Sequence, residues 1–117
     1  IDHVDYEFCL RLRRAGLAIV RCEDAVLEHR LGYRTRARFF HRMVTCYNYS
    51  PTRRYYQTRN GIVLALDARD WEFTRSCIKV LARETLVIAL FEQDRVAKLR
   101  LTARGIRDGL ARKTGRL

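Results

Sequence analysis

Near the start of the chain, Asp2, His3, Asp5 and Glu7 bring three carboxylates and an imidazole close together, and an amphipathic run follows at once. Phe8, Leu12 and Ala15 fall on one side of that run, Arg11, Arg13 and Arg14 surround the rest, and Gly16 closes it as a helix C-cap would. Asp5 stands where such a helix begins. The helix N-terminus favours its ionised form, and a side chain there can project from the loop, so Asp5 is placed to act as a general base. Asp2 or Asp5 would equally serve as a plain helix cap. Further along come His29 and then Arg53, Arg54 and Arg59. Attack of a hydroxyl on an electrophilic carbon, with a nucleotide diphosphate leaving, needs a carboxylate base and cations for the departing phosphates. Asp5 can be the base and these arginines the cations. A divalent metal at the pyrophosphate would accept a histidine ligand, which makes His29 a candidate.

Those residues need elements to hold them. Leu17 to Cys22 is a short β-rich run of the buried-strand type, Glu23-Asp24 makes a turn, and Ala25 to His29 reads as a second extended piece. Together they predict a short strand pair near residues 18 to 28. From Thr35 to Tyr49 the apolar spacing of Phe39, Phe40, Met43, Val44 and Tyr47 predicts a helix with Arg34, Arg36, Arg38 and Arg42 on its other face, ended or interrupted by Pro51. A second helix is expected from near Thr52 to Asp67, with Gly61 inside it or marking a kink, then a polar joint Asp67-Ala68-Arg69-Asp70. Trp71 to Arg104 carries the strongest helical signal, with a continuation that reads as a separate helix after Glu92-Gln93-Asp94. The stripe from Phe73 to Phe91 reads as core. Gly105 and Gly109 bracket a short element, and the basic tail Ala111 to Leu117 is expected to fray.

The 117 residues make one domain at most. The chain starts at Ile1 with a dense motif already under way, which reads as a piece of something longer. Its 24 Lys plus Arg against 13 Asp plus Glu give a net charge of +11, carried almost wholly by arginine. Arginine pairs bidentately with phosphate, so the charge suits a nucleotide, a polyanion or an acidic membrane surface. Cys9, Cys22, Cys46 and Cys77 form no close pair of the zinc or redox kind and read as reduced, largely buried thiols. No apolar run is long enough for a transmembrane helix.

Three segments in this order resemble the inverting, GT-A-fold glycosyltransferases of family two, and within them the bacterial rhamnosyltransferase-like branch. Asp2 to Gly16 is similar to that branch's "DxVDxEwclRlrxxG", Val26 to Gly32 to its "HxxG" element, and Arg54-Tyr55-Tyr56-Gln57-Thr58-Arg59-Asn60 to its "RxYYxxRN". Gly105 to Leu110 resembles the usual ending. The resemblance implies a mainly α piece with a short strand pair, the C-terminal fragment of an α/β GT-A enzyme. Residues 1–70 would be the acceptor-side part of the catalytic domain and 71–117 a helical extension.

By that resemblance Asp5 is the catalytic base that deprotonates the acceptor hydroxyl. Val4 stands where many relatives carry an acidic partner, which leaves Glu7 as an acceptor-binding carboxylate. Arg54, Tyr56, Arg59 and Asn60 would bind acceptor or diphosphate, and His29 would help hold Mg or Mn. The metal-binding "DxD" and the nucleotide-binding half are not in this chain, so alone it is expected to be inactive. The implied reaction moves a sugar, rhamnose from a deoxythymidine-diphosphate donor, to a lipid-linked or cell-wall polysaccharide acceptor in the cytoplasm, at the inner face of the plasma membrane. Peripheral membrane contact and a homodimer are implied partners. Two rivals remain: an arginine-rich nucleic-acid-binding module, with one basic face and steep salt dependence, and a membrane-peripheral or oligomerisation domain built on the Trp71 to Arg104 helices.

Overall fold

The computed structural model describes residues 3–26, 34–113 and 115–117. Among them the order is α1 (Val4–Arg14), β1 (Thr35–Phe39), β2 (Arg42–Cys46), α2 (Pro51–Ala68), α3 (Trp71–Phe91) and α4 (Arg95–Leu110). The chain is thus mainly helical with one antiparallel strand pair. That pair lies later in the sequence than expected.

Helix α1 ends as its sequence predicts. Gly16 takes φ 73°, and the amides of Gly16 and Leu17 donate to the carbonyls of Arg13 and Leu12, at 3.1 and 3.0 Å. This is the paired closure that a left-handed residue after a helix permits. The helix start is capped differently: His3 occupies the N-cap position at φ 65° with no side-chain cap bond, so Asp5 is not the cap. Asp2 lies outside the described residues.

The segment from Leu17 to Val26 is not a strand. It has no regular structure, bends at Glu23-Asp24, and leaves Leu17, Ile19, Val20 and Val26 all exposed. A β-rich run needs a neighbour to complete its ladder, and none is beside it among the described residues. Leu27 to Tyr33, including His29, lies outside the described residues. The helix expected from Thr35 to Tyr49 is instead the hairpin β1–β2, with Thr35 opposite Cys46 and Phe39 opposite Arg42. Its apolar residues satisfy both periods. Read at a period of two, Ala37, Phe39, Val44 and Cys46 share one face of the pair, and Thr35, Phe39, Val44 and Thr45 have β-favouring side chains. That face packs on α3, where Phe39 meets Phe91 edge-on at 5.9 Å and Cys46 is fully buried.

Pro51 opens a helix where the sequence reading had it end one. It occupies the first turn of α2, and Ser50 caps the helix by accepting from the Arg53 amide at 3.3 Å. Asp70 caps α3 by accepting from the Glu72 and Phe73 amides. The break after Glu92 is real, but Gly105 and Gly109 lie inside α4 and bracket nothing. They form the seam against α2. A Cβ on Gly105 would stand 2.8 Å from the Tyr55 carbonyl oxygen, and one on Gly109 would stand 2.9 Å from Ile62 Cβ, so only glycine lets the helices approach this closely.

The basic tail does not fray. Arg112 pairs with Asp67 at 2.7 Å, Arg59 donates to the Gly115 carbonyl at 2.7 Å, and the Leu117 amide donates to the Tyr56 hydroxyl at 2.9 Å. The buried hydrophobic set is small: Cys46, Tyr55, Leu64, Ala65, Val87 and Ile88. Of the Phe73 to Phe91 stripe only Val87 and Ile88 are buried, while Ile78, Val80, Leu86 and Leu90 are exposed. The thiols are also less hidden than expected. All four are free, but Cys22 is exposed and Cys9 and Cys77 are half-buried. Burial still pushes the Cys77 thiol above its ordinary value, only partly offset by a backbone hydrogen bond.

Candidate functional site

Asp5 sits in the exposed first turn of α1. With His3, Val4 and Tyr6 from the same turn and Gln57 from α2 it lines a cleft of about 380 Å³. His3 and Tyr6 form one wall, their rings tilted and 5.9 Å apart. The turn lies against α2 at Gly61, where an added Cβ would meet the His3 ring at 3.2 Å. Arg14 anchors the other end of α1 to the Asp67 carbonyl. His3, Tyr6 and Gln57 also border a larger groove of about 580 Å³, which continues between α2 and α3 over Ile62, Leu66, Phe73 and Leu81. The two cavities therefore adjoin: a small polar one at Asp5 and a long apolar one behind it.

The remaining sequence-predicted residues are placed apart from that cleft. Glu7 is exposed and pairs with Arg11, one helical turn on, at 2.8 Å. Arg54 is 3% exposed, and its guanidinium pairs with Glu84 at 2.5 Å and Glu92 at 3.5 Å. Arg59 is also buried, and two of its nitrogens donate to Asn60 Oδ1 at 3.0 and 2.9 Å. Its guanidinium lies over the Tyr55 and Tyr56 rings, 5.5 and 5.0 Å from their centroids. The motif Arg54 to Asn60 thus turns most of its side chains inward, onto α3, α4 and the tail. Gln57 is the member that reaches the cleft.

Sequence reasoning missed Gln57, His3 and Tyr6 as cleft residues. The signal was present for Gln57, which lies inside the Arg54 to Asn60 motif. For His3 and Tyr6 none existed, because their place depends on α1 docking at Gly61.

Apart from the cleft, two buried carboxylates hold the helices together. Glu92, at the C-cap of α3, accepts from the Asn48 amide at 3.1 Å and from Lys98 Nζ at 2.9 Å, besides pairing with Arg54. One side chain so joins the hairpin exit, α2, α3 and α4. Burial by itself would raise its pKa, but the hydrogen bonds from Lys98 and Asn48 and the charges of Arg54 and Lys98 outweigh that and hold it below the ordinary value. Asp108 is the second. It accepts from the Tyr55 hydroxyl at 3.0 Å and from Arg107 at 3.0 and 3.1 Å. Burial opposes its ionisation too, and those hydrogen bonds with the charges of Arg107 and Lys113 again prevail, lowering its pKa.

Among the described residues no three His, Cys, Asp or Glu side chains stand together as a metal site requires, and the candidate ligand His29 lies outside those residues. No described helix is long and apolar enough to cross a membrane. Compared with known proteins, the chain matches no family model, no curated sequence and no solved structure.

Proposed function

We propose that this chain is the acceptor side of an inverting glycosyltransferase, working with a nucleotide-binding half that supplies the donor. What carries the reading is the shared cleft: the two segments most similar to that family meet there, Asp5 from the first and Gln57 from the third. Asp5 takes the proton from an acceptor hydroxyl as that oxygen bonds to the anomeric carbon. The bond from this carbon to the diphosphate breaks on the opposite face, and its electron pair leaves with the nucleotide diphosphate. One base suffices and no covalent enzyme intermediate forms, so the anomeric centre inverts. Gln57, with both a donor and an acceptor on its amide, orients sugar hydroxyls, while Glu7 pairs with Arg11 outside the cleft.

Arg54 and Arg59 serve this chemistry by fixing α2, and through it Gln57, since their own donors are turned into the protein. The apolar groove adjoining the cleft suits a lipid-linked acceptor, whose sugar would reach Asp5 while its chain lay over Phe73 and Leu81. Rhamnose from a deoxythymidine-diphosphate donor is the sugar proposed, with the cytoplasmic membrane face as the place of transfer.

The test is nucleotide-diphosphate release by the enzyme with its donor-binding half present, over a panel of nucleotide sugars with and without a divalent cation. One donor should support release, and Asp5→Asn should lower it at least a hundredfold, the usual range for a general base. Release that ignores Asp5→Asn removes the catalytic assignment, and no release from any donor removes the glycosyltransferase reading.

A further inference from the structure

The two-residue turn of the hairpin calls for a left-handed first residue, and that residue is a phenylalanine. Phe39 pairs with Arg42, so Phe40 and His41 make the turn, and Phe40 takes φ 52°. Glycine or asparagine adopts that left-handed conformation readily, whereas for a bulky side chain it is a genuine outlier. The turn is nevertheless closed, with Arg38 Nε donating to the Phe40 carbonyl at 3.2 Å. The ring of Phe40 gains only an edge contact with Phe39, at 4.8 Å, and remains 77% exposed. Beside it Met43 is 62% exposed. A strained aromatic held outward points to a surface it meets.

The surroundings identify that surface. Between Arg34 and Tyr47 the sequence holds no Asp or Glu, but it holds Arg34, Arg36, Arg38 and Arg42, all exposed. The register puts Arg36, Arg38 and Met43 on the face turned away from α3, with Phe40 at the tip. An apolar tip ringed by cations at headgroup height is the pattern of an interfacial membrane contact. Phenyl and thioether enter the acyl boundary while the guanidinium groups pair with lipid phosphates. A nucleic acid fits less well. Tyr47 and Tyr49 already stack on each other with Arg34 and Arg53 over their rings, which leaves Phe40 as the one open ring of the hairpin, and Met43 beside it offers a base no stacking face.

We propose that the β1–β2 hairpin docks the protein on an anionic lipid bilayer, with Phe40 and Met43 inserted and Arg36 and Arg38 on the headgroups. No hairpin residue lines the cleft or the groove, so this surface is independent of the glycosyl-transfer reading.

The experiment is co-sedimentation with vesicles of phosphatidylglycerol and phosphatidylcholine, against vesicles of phosphatidylcholine alone. The protein should pellet with the first and not the second, and should be released as salt rises. Phe40→Asn suits the backbone and removes the ring. It should weaken partition at least tenfold without lowering the thermal midpoint, which separates insertion from folding. Arg36→Gln, on the same face as Met43, should weaken it about fivefold. Equal binding to neutral vesicles, or binding unchanged by Phe40→Asn, overturns the proposal. So does tight binding to poly(U) without vesicle binding.

Discussion

Glu92 shows how much one side chain carries in this molecule. It pairs with Lys98, which is 4% exposed, and it also ties the Asn48 amide and Arg54 to the end of α3. Glu92→Ala would leave a buried ammonium uncompensated, a change that costs about 3–5 kcal/mol, read as a lower urea midpoint at pH 7. The same carboxylate sets an acid limb. Because folding lowers the pKa of Glu92 and Asp108, their contribution is complete above the ordinary values of 4.5 and 3.8 and is lost as pH falls through the lower folded values. Stability should hold between about pH 5 and 7 and decline below about pH 4.5, a decline that Glu92→Gln makes shallower. Asp5 is the opposite case. It is exposed and outside these networks, so Asp5→Asn should leave the unfolding free energy from urea titration within about 0.5 kcal/mol of the parent.

At the scale of elements, three glycines in helices separate two physical situations. On α4 the atoms facing Gly105 and Gly109 include backbone carbonyl oxygens of Tyr55 and Arg59, which cannot move without shifting α2. Gly105→Ala should therefore destabilise by about 1–3 kcal/mol, although alanine is the better helix former. At Gly61 the nearest atom belongs to the His3 ring, which a side-chain rotation can move aside. Gly61→Ala should be neutral or stabilising by up to about 1 kcal/mol, while loosening α1 from α2 and so disturbing the cleft. Thermal midpoints of the two variants side by side are the check. The starts of α2 and α3 were legible, near Thr52 and at Trp71; in the structure Ser50 and Asp70 cap them, their side chains accepting first-turn amides. The hairpin was not, because Phe39, Phe40, Met43, Val44 and Tyr47 fit a helical spacing while Ala37, Phe39, Val44 and Cys46 fit the alternation of paired strands, and only packing on α3 selects between them.

For the molecule as a whole, the radius of gyration of 15.8 Å exceeds the roughly 13 Å of a compact chain this long. The excess is consistent with a first segment that buries little: α1 has no buried residue, and residues 17 to 26 are exposed throughout. The close association is between α2 and α4, tied by Tyr55 to Asp108 and by the glycine seam. Amide exchange should follow that division, slowest in Arg54 to Ala65 and Lys98 to Gly109 and fastest in Leu17 to Val26. Comparable protection across α1 and α2 would contradict it.

The sequence by itself determined the mainly helical class, α1 with its glycine closure, α2 and α3 nearly to the residue, and the break after Glu92. Each of these rests on interactions within a few residues along the chain. It also singled out Asp5 and the Arg54 to Asn60 motif. Only the tertiary structure decided that the strands lie at Thr35–Cys46, that Arg54 and Arg59 face inward, that the tail folds back onto Tyr56 and Arg59, and that Gln57 shares a cleft with Asp5. Those outcomes depend on which distant groups meet. A guanidinium finds its carboxylate, and a glycine its neighbouring helix, only once the chain has packed.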